Sequence, residues 1–185
     1  MGFFLGQAMM AVYILTTSLV FILALPVLPF LLLFSEKRRA SLLPRLGMTS
    51  FQGRDSGLPA GSGTGRIWIH ALSVGEVKSA LPLVRALSEK KTGGGSGSGL
   101  VFTASTRTGY QMARSLFLDP QAPLVDQVRY FPLDLWFSVN RAIRDIDPDL
   151  AVLVETDLWP YFLYAMKCRN IPVVLVNARL SLRSL

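Results

Sequence analysis

Five short apolar runs, each opening into a polar loop and all but the last then into a helix-patterned stretch, constrain this chain more than any other feature. They are 66–71 (RIWIHA), 100–104 (LVFTA), 128–131 (VRYF), 150–155 (LAVLVE) and 172–176 (PVVLV). Near-continuous apolar strands separated by helices imply a parallel sheet covered on both faces. Helices are predicted from about Glu76 to Lys90, with Pro82 marking a kink, then to about Leu118, from about Leu135 to Ile146, and to about Arg169. Trp159-Pro160 reads as the start of the last of these, since proline suits a first helical turn. The expected fold class is α/β: a Rossmann-like, doubly wound parallel sheet over 66–185.

The N-terminus has a different grammar. No charged residue occurs from Met1 to Ser35, and a bilayer span needs roughly 20 apolar residues. The run 1–35 is therefore expected to be one uncleaved, single-pass membrane anchor, broken or kinked at Pro26 and Pro29. A cleaved signal peptide would want a basic n-region and a shorter apolar core. Lys37, Arg38, Arg39 and Arg45 follow at once, opposed only by Glu36, and basic flanks stay on the cytoplasmic side. The segment 36–65 is read as this basic juxtamembrane stretch plus a Gly/Ser/Pro-rich linker over 53–65. A second glycine-rich run, 92–99 (TGGGSGSG), precedes a strand and lacks the Lys-Ser/Thr ending of a phosphate-binding loop, so it is a spacer.

Charge and cysteine content narrow the function classes. A net charge of +7 suggests an anionic partner, but the basic residues are dispersed, with no basic helix and no aromatic-plus-basic RNA signature. Nucleic acid is not expected; a membrane surface or a phosphorylated substrate is. The single cysteine, Cys168, excludes an internal disulfide. No metal-ligand spacing and no G-x-G-x-x-G after the first strand is present, so neither metal nor dinucleotide cofactor is expected.

The unusual polar residues lie in loops after strands: Ser73 and Glu76, Ser105 to Gly109, Asp134, Glu155 and Asp157, Asn177 and Arg179. In an open α/β sheet those loops share one rim, where ligands bind. Ser73 and Glu76 have the S-x-x-E spacing of a capping box, so on spacing alone Glu76 either caps the following helix or does chemistry. His70, inside the first strand, reads as a packed, hydrogen-bonded residue. Arg107, Arg179 and Arg183 are able to hold phosphate bidentately, although surface arginines are commonly just solvated.

The ordered set HALSVGE (70–76), TASTRTG (103–109), FPLD (131–134), ETDLWP (155–160) and NARLSLRS (177–184) resembles the Kdo transferases, which move 3-deoxy-D-manno-octulosonic acid from CMP-Kdo to the lipid A precursor, lipid IVA. The resemblance covers the whole chain, anchor and basic segment included. It departs at Asp157, where the family commonly has Glu, and at Tyr161, where it commonly has Asn. It implies a GT-B glycosyltransferase of lipopolysaccharide synthesis at the cytoplasmic side of the cell inner membrane, with the acceptor on the N-terminal domain. Glu76 would then be the general base that deprotonates the attacking glucosamine hydroxyl, and Glu155 a residue stabilising the transition state. Ser73, Ser105, Arg107, Thr108, Gly109, Asn177 and Arg179 become acceptor-binding candidates.

The chain stops at Leu185, so the donor-binding second domain is expected to be missing. The polypeptide is expected to be inactive without a complementary C-terminal half. Two rival readings stand beside this one. The first is a non-catalytic module of the same fold that binds acceptor lipid or a partner. The second is another membrane-associated GT-B enzyme of lipid A assembly.

Overall fold

The computed structural model describes residues 2–27, 29, 36–47, 65–92, 99–155 and 158–178. Most of the linker, the 93–98 spacer, Asp157, Arg179 and Arg183 fall outside the described residues.

An apolar helix α1 (Gly2–Ala24) and a short basic helix α2 (Glu36–Arg45) precede a regular alternation of strands and helices. These are β1 (Ile67–Ala71), α3 (Val74–Thr92), β2 (Leu100–Ala104), α4 (Arg107–Phe117), β3 (Gln127–Tyr130), α5 (Trp136–Ile146), β4 (Leu150–Val154), α6 (Pro160–Cys168) and β5 (Val173–Val176). All five strands are parallel, in the order β3-β2-β1-β4-β5, so the chain starts in the middle, builds outward to β3, then returns to build the other side. That return makes the gap between β1 and β4 the topological switch point, where open α/β sheets bind ligands.

The period-2 alternation within each strand divides the core in two. Ile69, Ala71, Phe102, Ala104, Val152 and Val154 face α3 and α4, where they meet Val77, Ala80, Val84, Ala113 and Phe117. Trp68, Val101, Ala151 and Leu153 face α5 and α6, against Val139, Ala142, Ile143, Ile146, Phe162 and Met166. The helices earn these positions by their own spacing. Val139, Ala142, Ile143 and Ile146 form one stripe on α5, and Gly109, Ala113 and Phe117 form one on α4.

Several boundaries differ from the sequence reading. α3 begins at Val74, which puts Glu76 inside its first turn, and it runs on through Pro82. α4 begins at Arg107, so Arg107, Thr108 and Gly109 belong to a helix start and not to a loop. β3 lies at Gln127–Tyr130, one residue earlier than expected, and β4 ends at Val154, which leaves Glu155 in the turn that follows. α1 ends at Ala24, two residues before Pro26.

The FPLD segment is a junction. Arg45, at the end of α2, donates from Nε to the Phe131 carbonyl, and its own carbonyl accepts from Leu133 N–H and the Ser138 hydroxyl. Asp134, 7 % exposed, accepts from Tyr161 N–H (2.9 Å), Phe162 N–H (2.8 Å) and the Tyr13 hydroxyl of α1 (2.8 Å). α6 needs this help. Its N-cap residue, Trp159, makes no side-chain cap bond, and Pro160 at the next position has no N–H. The orphaned donors of the first turn are therefore satisfied by a carboxylate from another element, placed where the helix dipole favours negative charge.

Candidate active site

The loop after β1 delivers Glu76 to the rim. Its Oε2 accepts from Leu72 N–H and its Oε1 accepts from the Ser73 hydroxyl at 3.1 Å, while Glu76 N–H reaches Ser73 Oγ at 3.5 Å. The capping box is thus formed, with one shift: the glutamate reaches back to the residue before the cap instead of to the cap itself. The carboxylate is largely buried, at 9 % exposure.

The loop after β2 is tied to the first. Thr106 donates to the Leu72 carbonyl from both its N–H (3.1 Å) and its hydroxyl (3.0 Å). The same hydroxyl oxygen accepts from Gly109 N–H at 3.1 Å and so caps α4. Gly109 has a steric reason to be glycine, because a Cβ there would stand 2.8 Å from Thr106 Oγ1 and 3.3 Å from the Leu72 carbonyl oxygen. It is a packing residue of the rim. Arg107 and Thr108, the two residues between Thr106 and Gly109, are exposed and free to face a ligand.

Ser105 is buried beside His70. The His70 Nδ1 lies 3.1 Å from the Thr103 carbonyl, which only accepts, so Nδ1 carries the proton. In a neutral ring Nε2 then accepts from the Ser105 hydroxyl, 3.4 Å away. His70 also stacks on Phe131, with ring centroids 3.8 Å apart, and is 1 % exposed. The packed role expected of this histidine is the one it has. Trp68 Nε1 donates to Thr103 Oγ1 (2.8 Å) in the same buried network.

Across the switch point, Glu155 has φ +66° and Asn177 has φ +54°. Such left-handed backbone is tolerated by asparagine but uncommon for glutamate, where it costs on the order of 1–3 kcal/mol. Glu155 N–H donates to the Val176 carbonyl (2.8 Å), and Asn177 Nδ2 reaches Glu155 Oε1 at 3.5 Å. Two neighbouring strand ends thus turn through left-handed backbone, strained at Glu155, and bring their polar side chains together.

At the β3 side of the rim, Tyr130 stacks on Tyr110 with centroids 4.1 Å apart. Burial pushes the Tyr130 phenol up, Tyr110 adds in the same direction, and the positive charges of Arg107 and Arg45 pull it partly back. Arg107 opens α4 three residues before Tyr110, the residue stacked on Tyr130.

The rim therefore gathers Ser73, Glu76, Ser105, Arg107, Thr108, Gly109, Glu155 and Asn177 at the carboxyl ends of four adjacent strands, while Arg179 lies outside the described residues. Residues 40–185 match the family described as 3-deoxy-D-manno-octulosonic-acid transferase (kdotransferase). The chain belongs to this family. It is 42% identical over 118 residues to the 3-deoxy-D-manno-octulosonic acid transferase of Haemophilus influenzae, a match covering 64% of this chain and 26% of that protein. With the transferase of the same name from Bordetella pertussis it shares 33% identity over 119 residues, 64% of this chain and 26% of the relative. A Chlamydia pneumoniae transferase of that name is 29% identical over 165 residues, 89% of this chain and 34% of its own length. The chain thus spans about a quarter to a third of the curated Kdo transferases it matches.

Two residues that matter to this rim were missed or misplaced by sequence reasoning. Thr106 was treated as one more loop residue, yet it is the bond between two loops; the signal available was its position three before Gly109, the spacing of a cap. Asp134 was grouped with the rim, yet its carboxylate is consumed by α6 and α1.

Proposed function

We propose that this chain is the acceptor side of a GT-B glycosyltransferase that moves Kdo from CMP-Kdo to the lipid A precursor, lipid IVA, in lipopolysaccharide synthesis. Glu76 is the general base, accepting the proton of the attacking glucosamine hydroxyl. An alcohol is a poor nucleophile until that proton leaves, and a positioned base typically contributes ~10²–10⁴-fold. Glu155 acts from the opposite side of the switch point, stabilising charge in the transition state with Asn177 beside it. Ser73, Ser105, Arg107, Thr108 and Arg179 are the acceptor contacts, with Arg107 the natural partner of a lipid phosphate. Gly109 serves the acceptor only by letting the two loops approach.

The chain works at the cytoplasmic face of the inner membrane, held there by α1 and by Lys37, Arg38 and Arg39 near anionic headgroups. The observation that carries this reading is the placement of Glu76 and Glu155 beyond the carboxyl ends of β1 and β4, the strands flanking the switch point, in a family whose relatives are named Kdo transferases. No residue of the donor site is assigned to these 185 residues.

The test is transfer of Kdo from CMP-Kdo to lipid IVA in membranes holding this chain, with and without the C-terminal portion of the Haemophilus influenzae relative. Transfer that Glu76→Gln lowers at least ~10²-fold, with folding retained, supports the base assignment. One specific observation favours a second reading, a non-catalytic module that binds acceptor lipid: both Glu76 oxygens already accept bonds from the loop, from Leu72 N–H and the Ser73 hydroxyl. Binding of lipid IVA that Glu76→Gln leaves intact, with no transfer in either setting, would decide for that module.

A further inference from the structure

α1 is long and apolar enough to cross a bilayer over Gly6–Ala24. Yet one side of it is in use. Met10, Tyr13 and Ile14 pack against the core formed by α5 and α6, the Tyr13 hydroxyl is bonded to Asp134, and Phe21 meets Phe137 with ring centroids 5.3 Å apart. Met9, Val12, Leu15, Leu19, Val20, Ile22 and Leu23 on the remaining surface are 57–69 % exposed.

Helix geometry makes crossing and docking incompatible. From Met10 to Phe21 the docked stretch runs roughly 17 Å, at ~1.5 Å per residue. The helix before it, from Gly2 to Met9, extends only ~12 Å, against a hydrocarbon core of ~30 Å. Were Gly6–Ala24 to stand across the bilayer, Tyr13 would lie near its middle, and Asp134 would have to follow it there with the first turn of α6. The domain's polar surface forbids that depth, since unsatisfied polar groups in hydrocarbon are costly.

We propose, building on the membrane-anchoring reading above, that α1 does not cross the membrane but lies along the domain, in the plane of the cytoplasmic leaflet. An isolated in-plane helix needs a polar face toward water. α1 has none, and in this arrangement it needs none: the domain covers one side and lipid the other. The neighbouring surface agrees. Trp136, 50 % exposed, packs edge-on against Phe137 at 6.0 Å and continues the apolar surface beside Phe21, with the indole suited to a membrane interface. α2, whose sequence opens with Lys37, Arg38 and Arg39, is sewn through Arg45 to the same 131–138 junction that receives Tyr13. The occupant of the exposed α1 face is thus an anionic phospholipid surface, and Asp134 is the clasp that keeps the helix from standing up.

The experiment places a hydrophilic, protease-cleavable tag ahead of Met1 in the full chain. Carbonate-washed membranes are assayed first: recovery of the chain in the soluble fraction would overturn the anchoring reading and this proposal with it. With the chain in the membrane, in-plane docking predicts cleavage in inverted vesicles and protection in spheroplasts. Cleavage in spheroplasts would overturn the in-plane arrangement while leaving the anchor intact. A photoreactive benzophenone residue gives an independent readout in the membrane. At position 10 it is expected to capture α5 or α6 of its own chain, and at position 12 to capture lipid; lipid capture at both positions would refute the docked helix.

Discussion

Asp134→Ala is the substitution whose cost the structure defines most fully. It removes the acceptor of Tyr161 N–H and Phe162 N–H, and both residues are buried, at 7 % and 0 % exposure. No side chain within α6 replaces it, because Trp159 makes no cap bond. Loss of a helix cap typically costs ~1 kcal/mol, and each buried donor left without a partner costs ~1–3 kcal/mol. Water entering beside α6 recovers part of that, so a net loss of about 3–4 kcal/mol is expected. At roughly 2–4 °C per kcal/mol for a chain of this size, the melting temperature should fall by about 10 °C.

The assay is thermal unfolding in detergent, followed by tryptophan fluorescence; Trp68 lies edge-on to Phe162 at 5.1 Å and reports on α6 directly. Asp134→Asn keeps one carbonyl acceptor and should lose about half as much. Tyr13→Phe, which leaves both α6 donors satisfied, should cost about 1 kcal/mol. A loss below about 1 kcal/mol for Asp134→Ala would refute the argument, because it would mean that the first turn of α6 does not depend on a remote cap.

Three further outcomes follow from the rim. Gly109→Ala should destabilise by about 1–3 kcal/mol, since the added Cβ meets Thr106 Oγ1 at 2.8 Å and that hydroxyl is pinned by Leu72; thermal unfolding beside Thr106→Ser checks it. Glu155→Gly should leave stability unchanged or raise it by about 1 kcal/mol by relieving the φ of +66°, and on the reading proposed above lower Kdo transfer; a clear loss of stability would show that the turn is not strained. Tyr130 should titrate above the ordinary tyrosine range. A folded-state pKa raised above the unfolded value contributes stability fully present below about pH 10 and lost as pH rises through the folded value. Ultraviolet difference titration of Tyr130→Phe should therefore delete a phenol that ionises later than an ordinary tyrosine, and loss of an early one would contradict the burial argument.

What the sequence made legible was whatever depends on local pattern. Five apolar runs located the five strands to within a residue or two, and the S-x-x-E spacing anticipated the Ser73–Glu76 cap. Features set by distant partners were opaque. Nothing near Asp134 in sequence says that its carboxylate caps a helix 26 residues later, because a cap is ordinarily supplied by the helix's own first residue. Tyr13 was hidden for a similar reason, as a lone phenol in an apolar run gives no hint of a carboxylate 121 residues away. The left-handed turn at Glu155 carries no compositional mark either. Glycine or asparagine is the residue that advertises such a φ, and here a glutamate adopts it because Glu155 N–H is drawn to the Val176 carbonyl.

Capping and proton abstraction, the two readings of Glu76, are compatible once lone pairs are counted. A carboxylate offers about four acceptor positions, and the loop occupies two of them, one per oxygen. The remaining positions stay available to a hydroxyl at the rim, while the two loop bonds fix the side chain that presents them. A base held within a narrow range of geometry loses less orientational freedom when the acceptor docks. The bracing extends further, because Leu72, which donates to Glu76, also accepts both Thr106 bonds, and Thr106 in turn caps α4. One side of the switch point is therefore a single rigid unit of two loops and two helix starts. The other side, Glu155 with Asn177, has left-handed backbone that is strained at Glu155, and is joined by a 2.8 Å backbone bond from Glu155 N–H to Val176 and one long side-chain bond. On the proposed reading, a site divided in this way would have its proton acceptor fixed in advance by the Leu72 and Ser73 bonds, with Glu155 facing it across the switch point.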